Sequence, residues 1–264
     1  MRRSSSSAWP QTSRLPLRGN PLRFAVSASP WRAAWYLISY LLVGSVLFSI
    51  AFTAATTAAT LAITLAGLPL LPAAAGVVRW CANVERRRLR QVLTEPVRGE
   101  YPPVTATGVL ERAVARWRQG VTWRDVGCVV GLWVPLFALD TVVLAVWAWF
   151  IGMVTLPIWY WAPWMQYQGH RFHGFQLGFY FPHGPAGPGT VGVFIDTLPK
   201  ALLAAAVGLV GFLVMNYAVV ATARAHARVA RALLRPLADP LAPAKDILSR
   251  PGPLGSLTGE SPDP

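Results

Sequence analysis

A single acidic residue, Asp140, lies inside the long apolar stretches of this chain. A carboxylate surrounded by lipid costs several kcal/mol of free energy unless it is paired, neutralised or hydrated. We therefore interpret Asp140 as a candidate sensing or proton-linked residue. The alternative, in which a protonated or hydrogen-bonded carboxyl only fixes the packing of helices, stays open on the sequence alone.

Three histidines, His170, His173 and His183, follow within one Gly- and Pro-rich segment. Zinc prefers imidazole ligands at such spacing, and Asp196 adds a carboxylate. Arg171 separates the first two histidines, however, and no cysteine lies nearby, so the sequence predicts no metal site. Exposed histidines that titrate near neutral pH are the alternative. The three histidines are therefore candidates for binding a ligand or responding to pH.

The sequence shows no pattern of enzyme chemistry. It has no nucleophile beside a base, no paired carboxylates, and no Walker A, HExxH or GxSxG spacing. It therefore predicts a protein that is not an enzyme, with no catalytic residue and no cofactor. An enzyme that acts on lipid or on an extracytoplasmic substrate through the three histidines is one alternative.

The elements that must position these residues are helices in a membrane. No charged residue lies between Arg32 and Arg79. Because about 20 helical residues cross a hydrocarbon layer about 30 Å thick, this stretch holds two spans. Two later apolar stretches complete four spans, at about 33–55, 58–78, 126–150 and 200–223. A fifth span within residues 126–165 is the alternative.

The depth of Asp140 follows from this assignment. If the membrane boundary lies near Val126, a helical rise of about 1.5 Å per residue places Asp140 roughly 21 Å into the bilayer, in its outer half. Asn216 is expected nearer the opposite surface. Four threonines near the outer end of the first pair of spans are expected to reach the depth of Asp140, namely Thr53, Thr56, Thr57 and Thr60.

The predicted fold class is all-α, a polytopic membrane protein with two repeated helical hairpins and basic amphipathic helices after them. Residues 31–238 form this domain, with an outer loop at about 158–199. The terminal segments, 1–30 and 239–264, are rich in Pro, Ser and Gly. Such segments lack the apolar residues that a core needs, so we expect disordered tails.

Composition and charge agree with a membrane protein. Hydrophobic residues make up 54% of the chain and charged residues 13%, and the mean hydropathy is +0.42. The net charge of +13 comes from arginines that flank the apolar stretches. We therefore expect anionic membrane lipids as the counter-charge, and no nucleic acid. The sequence leaves open whether the chain forms a homo-oligomer.

The arginines also predict the orientation. They are frequent before the first span, between the second and third, and after the fourth, whereas the segment from Pro163 to Lys200 has only Arg171 and Lys200. Cytoplasmic loops carry the excess of Lys and Arg. Both termini are therefore expected in the cytoplasm of a bacterium, with the chain in its cytoplasmic membrane.

The two halves of the chain resemble each other. Trp31-Arg32 precedes the first pair of spans and Trp123-Arg124 precedes the second. Each pair then ends in the same pattern at one constant offset: Arg79, Ala82, Val84, Arg86, Leu89 and Arg90 recur as Arg224, Ala227, Val229, Arg231, Leu234 and Arg235. We infer two copies of one unit, related by an axis along the membrane normal.

The arginines of these two final helices are candidates for contact with lipid or a partner protein. In the second copy they recur every three or four residues, so they share one helical face. One interpretation is topology and anchoring alone, and the other is a lever that contacts a cytosolic partner. The candidates are Arg86, Arg90, Arg224, Arg228, Arg231 and Arg235.

Several landmarks occur together in a fixed order. They are Trp31-Arg32, Thr64-Leu65-Ala66-Gly67-Leu68-Pro69-Leu70-Leu71, Val84-Glu85-Arg86-Arg87-Arg88-Leu89, Trp123-Arg124, Leu156-Pro157-Ile158-Trp159-Tyr160-Trp161 and Ala230-Arg231-Ala232-Leu233-Leu234. In this order they resemble the membrane-embedded sensor domain often found at the N-terminus of bacterial two-component histidine kinases. The resemblance covers roughly residues 31–238, and its motifs describe topology, not catalysis.

The resemblance implies a four-helix membrane sensor that passes a signal inward. This chain departs from the kinase-linked members because no phosphoacceptor or ATP-binding domain follows Pro236. The predicted function is therefore a non-catalytic sensor-like protein that relays an envelope or bilayer signal to a separate histidine kinase or transcription regulator. A small transporter or transporter subunit that uses Asp140 is the main alternative.

Overall fold

The computed structural model describes residues 14–15, 20–63, 69–97, 99, 101–105, 108–167, 170–181 and 189–235. The described part of the chain is mostly helical. Its helices are α1 (Pro21–Ala25), α2 (Ala28–Ser39), α3 (Ser45–Leu61), α4 (Leu70–Leu89), α5 (Val109–Arg118), α6 (Gly120–Val126), α7 (Trp133–Trp159) and α8 (Leu198–Leu234). Its strands are β1 (Trp164–Tyr167), β2 (His170–His173), β3 (Phe175–Phe181) and β4 (Gly189–Ile195).

Three helical stretches are long and apolar enough to cross a membrane. They are Ala28–Leu61 with 34 residues, Gly120–Trp159 with 40 residues, and Leu198–Leu234 with 37 residues. The first two are composite, because a π-helical turn joins α2 to α3 at Tyr40–Gly44 and another joins α6 to α7 at Gly127–Gly131. The protein is therefore a polytopic helical membrane protein.

The boundaries predicted for the second span, 58–78, are wrong. The first stretch continues to Leu61, and α4 begins only at Leu70. The apolar part of α4 ends at Arg79, so α4 does not itself meet the length and hydropathy of a span. A fifth span within 126–165 is also excluded, because α7 continues to Trp159 and β1 starts at Trp164.

The first ordered helix lies in a segment predicted to be a disordered tail. Asn20 caps α1 by accepting a hydrogen bond from the backbone N–H of Leu22, and Pro21 occupies the first turn. The ring of Phe24 stacks on Tyr217 of α8 at 4.5 Å. This contact joins α1 to α8, so residues 20–30 are mostly helical and packed, and the predicted disorder is wrong for them. The predicted tail at 239–264, and residues 1–13 and 16–19 of the N-terminal one, lie outside the described residues.

The predicted all-α class is incomplete, because the outer loop contains two antiparallel hairpins. Trp164 pairs with His173 in the first, and Phe175 pairs with Ile195 in the second. Aromatic and β-branched residues dominate β3 and β4, as strands favour. Gly174 joins the hairpins with a φ of 152°, where a Cβ would lie 2.7 Å from the backbone oxygen of Ile195.

Helices α7 and α8 pack in opposite directions along most of their length. A Cβ placed on Gly208 would lie 2.6 Å from Cβ of Met153, so the two backbones approach closely. The buried core continues between α2, α4 and α8, where Tyr36, Val78 and Val220 are fully buried.

Helix α5 packs against the start of α4, where Arg116 and Trp117 donate to the backbone oxygens of Pro72 and Leu71. We call the end formed by α4, α5, α6 and the C-terminal part of α8 the arginine-rich end, and the opposite end, with β1–β4, the hairpin end.

Candidate functional site

Asp140 of α7 pairs with His226 of α8 in the centre of the helix packing. Nδ1 of His226 lies 2.9 Å from Oδ2 of Asp140, and both side chains have no exposed surface. A carboxylate at such a position needs a hydrogen-bonding partner to offset the cost of burial. His226 supplies it, and the pair fixes α7 and α8 against each other.

The pair lies nearer the arginine-rich end than the sequence predicts. His226 lies between Arg224 and Arg228, which belong to that end. The predicted depth assumed a boundary at Val126, whereas the helical stretch begins at Gly120 and has 40 residues. Counted back from Trp159, Asp140 lies about 28 Å along the helix, a distance close to the thickness of the hydrocarbon layer.

The threonines expected near Asp140 do not bond to it. Thr56 and Thr60 donate to backbone oxygens one turn earlier in α3, at 2.8 and 2.9 Å. Asn216 is buried elsewhere between α7 and α8, where its Oδ1 accepts a hydrogen bond from the indole of Trp147 at 3.2 Å. Asn216 therefore forms a separate contact between α7 and α8.

A second polar pair, Glu85 and Arg88, lies in α4. Nη1 of Arg88 lies 2.5 Å from Oε2 of Glu85, and both side chains are buried. Nη2 of Arg88 also donates to the backbone oxygen of Tyr36 at 3.1 Å and to the hydroxyl of Ser39 at 2.9 Å. These bonds join α4 to the end of α2, immediately before its π-helical turn.

Aromatic rings bring the two pairs together around His226. The rings of Tyr40 and Tyr36 meet the imidazole edge-on, with centroids 4.3 and 5.3 Å away. The guanidinium of Arg88 lies over both tyrosine rings at 5.3 Å. Beside His226 is a cavity of about 10 Å³ that Glu85 also lines. Both π-helical turns border this cavity, a kind of irregularity frequent at functional sites.

A third polar cluster closes the arginine-rich end. Arg86 of α4 is buried, and its guanidinium lies 2.7 Å from Oδ1 of Asp125. The hydroxyl of Tyr101 donates to the other oxygen of Asp125 at 2.7 Å, and Nε of Arg86 donates to the backbone oxygen of Leu234. Burial, with this bond to Asp125, raises the pKa of Tyr101 to about 12. Arg124 donates to the backbone oxygen of Ala232.

Burial separates the six arginines predicted to face lipid or a partner. Arg86 is inside the third cluster, so that prediction is wrong for Arg86. Arg231 is partly exposed and pairs with Glu95 at 2.8 Å, while Arg224 is partly buried. The other three candidates, Arg90, Arg228 and Arg235, have exposed side chains. Arginines of the same sequence pattern therefore divide between internal bonds and surface.

The predicted histidine group of the outer loop is only partly described. His173 is exposed, its Nδ1 lies 3.1 Å from the backbone oxygen of Trp161, and its ring contacts Trp164. His170 lies in β2, and its side chain and all of His183 lie outside the described residues. Asp196 forms an ion pair with Lys200 at 2.7 Å, and that hydrogen bond lowers its pKa. Within the described stretches, no three His, Cys, Asp or Glu side chains cluster as metal ligands.

His226 is the functional candidate that the sequence analysis missed. It lies among arginines, which suggested a surface helix. Small buried residues at helical spacing mark the same face, however, namely Ala223, Ala227 and Ala230. A histidine at the centre of such a stripe is on the packing face of the helix. The spacing of these alanines is the sequence feature that could have identified His226 as a buried residue.

The fold and the site together define a polytopic helical membrane protein with a buried ionisable core. The chain belongs to the family described as "Putative sensor", which matches residues 36–234. The match includes both π-helical turns, Asp140 and His226. A search of curated proteins and a search of solved structures gave no match.

Proposed function

We propose that this chain is a non-catalytic membrane sensor that relays an envelope or bilayer signal to a separate cytosolic or membrane partner. The main observation that supports a relay is the length of α8. Helix α8 runs without interruption for 37 residues, from the hairpin end to the arginine-rich end. It follows β4 directly and contains His226, so a displacement at the outer loop reaches the buried pair through a single rigid element.

The Asp140–His226 pair makes α8 a candidate for two discrete positions. Sliding or rotating α8 against α7 breaks a buried hydrogen bond, which opposes a gradual displacement. A stimulus can shift the balance between two packings only if it binds one of them more strongly. The hairpin end is where we place that stimulus, and the end of α8 is where we place the output.

The repeat inferred from the sequence is supported by the burial of α4 and α8. When the two helices are aligned by their arginine patterns, seven positions are buried in both, whereas Arg86 and Arg88 are buried in α4 alone. Buried in α4 are Ala74, Ala75, Val78, Cys81, Ala82, Glu85 and Leu89, and their counterparts Val219, Val220, Ala223, His226, Ala227, Ala230 and Leu234 are buried in α8. The shared burial supports a repeated sequence pattern, but the two hairpins point in opposite directions. Trp31 contacts Trp147 and Phe48 stacks on Trp133, so the end of α3 and the start of α4 lie at the arginine-rich end, whereas α7 and α8 are joined at the hairpin end. The axis along the membrane normal inferred from the sequence is therefore wrong.

We further propose a bacterial cytoplasmic membrane location with both termini in the cytoplasm. The arginine-rich end then faces inward and the hairpin end outward, as the distribution of Lys and Arg favours. Reporter fusions after Gly99 and after Pro240 should read as cytoplasmic, and a fusion after Gly187 as external. A cytoplasmic reading at Gly187 would contradict both the orientation and the outer sensing site.

The proposed output contact is the exposed arginine face of α8, formed by Arg228 and Arg235. Anionic lipids are one proposed partner of this face, and a separate histidine kinase or transcription regulator is the other. Because Ala227, Ala230 and Leu234 belong to the core, deleting residues 224–235 as a test would damage the fold. Charge reversal of the two exposed arginines avoids this problem.

The test is crosslinking and purification from membranes with the double variant Arg228→Glu and Arg235→Glu. We expect it to lose a kinase or regulator that the unaltered chain recovers. The matched control is Arg112→Glu with Arg118→Glu, which makes the same charge change on exposed positions of α5. Equal recovery with both double variants would contradict an output through α8.

No finding favours the alternative of a small transporter. Asp140 has no exposed surface and is bonded to His226. The cavity beside His226 has room for about one water molecule. These features support a packing element more than a pathway for a substrate.

A further inference from the structure

The residues that line the cavity beside His226 include buried polar atoms with no hydrogen-bond partner in the described part of the chain. The lining of the cavity includes Tyr40, Glu85, Cys128, Val129, His226 and Ala230. Nε2 of His226 and Oε1 of Glu85 are buried and have no hydrogen bond within the described part of the chain. An unsatisfied buried polar atom costs about 1–3 kcal/mol of free energy, so two of them beside one cavity require an explanation.

The size and chemistry of the cavity identify its occupant. A water molecule needs roughly 10–15 Å³ of such space and two to four polar partners. The cavity has a volume of about 10 Å³. We propose that it binds one water molecule, which bridges Nε2 of His226 and Oε1 of Glu85. This site goes beyond the sensor role and does not depend on it.

The hydrogen bonds of such a water balance in either protonation state of His226. With neutral His226, the Nδ1–H donates to Asp140, and the water donates one hydrogen to Nε2 and the other to Glu85. With protonated His226, Nε2–H donates to the water oxygen, and the water still donates to Glu85. The thiol of Cys128 lines the same cavity and is a weak additional donor.

Charged and aromatic groups from several elements surround His226. The groups that face His226 are Tyr36 and Tyr40 from α2 and its turn, Glu85 and Arg88 from α4, Cys128 from the second turn, and Asp140 from α7. Two carboxylates and one guanidinium leave one negative charge in excess.

The bridging water would join two polar pairs that are otherwise separate. Asp140 and His226 connect α7 to α8, while Glu85 and Arg88 connect α4 to the end of α2. Through the water, these contacts form one hydrogen-bond network that connects α2, α4, α7 and α8. The network explains why both π-helical turns, which carry Tyr40 and Cys128, border the same small cavity.

The experiment uses the full chain in phosphatidylethanolamine and phosphatidylglycerol vesicles, with ¹⁵N-labelled histidine. Changing His170, His173 and His183 to Gln leaves His226 as the only histidine. Solid-state NMR then measures transfer of magnetisation from water protons to each imidazole nitrogen. We expect transfer to Nε2 and none to Nδ1, which Asp140 covers. Absent transfer, or equal transfer to both nitrogens, would overturn the proposal.

A matched pair of variants tests the position of the water. Val129→Ile adds a methylene group to a residue that lines the cavity, and should abolish transfer to Nε2. Val220→Ile makes the same change at a fully buried position that does not line it, and should preserve the transfer. Transfer of equal strength in the two variants would contradict a water in this cavity.

Discussion

Helices α4 and α8 bury corresponding positions but use their charged residues differently. In α4, Arg86 and Arg88 point into the protein and are bonded to Asp125 and Glu85. The corresponding positions in α8 are Arg231, which is partly exposed, and Leu233. The shared pattern of small and apolar residues sets which face is buried. The residues that differ between the two helices on that face then decide whether an arginine is bonded inside the protein or remains at the surface.

The two polar residues beside the cavity, Glu85 and His226, also differ from the residues at the corresponding positions of the other helix. Glu85 of α4 corresponds to Ala230 of α8, and His226 of α8 corresponds to Cys81 of α4. Helix α4 therefore supplies a carboxylate and α8 an imidazole to the same buried site. Neither helix alone contains the site.

The largest effect is expected from Arg86→Ala. Removing Arg86 leaves the carboxylate of Asp125 buried without its ion pair, and breaking such a pair costs about 3–5 kcal/mol of unfolding free energy. Arg231→Ala, at the corresponding position in α8, should cost less than about 1 kcal/mol because its pair is exposed. Thermal unfolding of both variants in one detergent checks the difference. Similar losses would show that α4 and α8 use these arginines alike.

The next effect is expected from His226→Cys, which places in α8 the residue found at the same position of α4. Asp140 then loses its partner, and a lost hydrogen bond to a charged group costs about 1.5–3 kcal/mol. Cys81→Ala, the control in α4, removes a buried thiol that makes no ion pair and should cost about 1 kcal/mol. The same unfolding assay measures both. A larger loss for Cys81→Ala would mean that His226 is not the key residue of the pair.

The sequence predicts the membrane class, the three basic segments that flank the spans, and the family, because all three depend on runs of apolar residues and arginines. It also identifies Asp140, since a lone carboxylate in an apolar helix is conspicuous. It does not identify His226 or the buried roles of Arg86 and Glu85. Those depend on which helix faces meet, and a basic residue at helical spacing reads the same whether it faces lipid or an aspartate in another helix.

The predictions for the outer loop and for the N-terminal segment are wrong for a different reason. Gly and Pro in residues 158–199 suggested a loop, although β3 and β4 carry the aromatic and β-branched residues of strands. The short helix at Pro21–Ala25 is held by contact of Phe24 with Tyr217. The local amino-acid composition does not indicate that Phe24 contacts a residue almost two hundred positions away in the sequence.

A smaller effect is expected from a glycine pair in the two helices. Gly208→Ala places a Cβ 2.6 Å from Cβ of Met153, so α7 and α8 must separate locally, at a cost of about 1–2 kcal/mol. At Gly76 of α4 nothing lies within 4 Å of an added Cβ. Gly76→Ala should therefore stabilise the protein by about 0.5–1 kcal/mol. Opposite shifts of the unfolding temperature would confirm that α8 packs more closely than α4, and a gain for both would contradict it.

The smallest effect on stability is expected from charge reversal at Arg228 and Arg235. Both side chains are exposed, and substitutions at such positions usually change the unfolding free energy by less than about 0.5 kcal/mol. Binding to vesicles that contain phosphatidylglycerol provides the other half of this test, because each basic residue near an anionic surface contributes about 1 kcal/mol. The same reversal at Arg87 and Arg90 of α4, also exposed, is the comparison. If α8 alone contacts a partner protein, both double variants weaken lipid binding while only the α8 variant loses the partner. Loss of the partner in both would assign the output to the whole arginine-rich end.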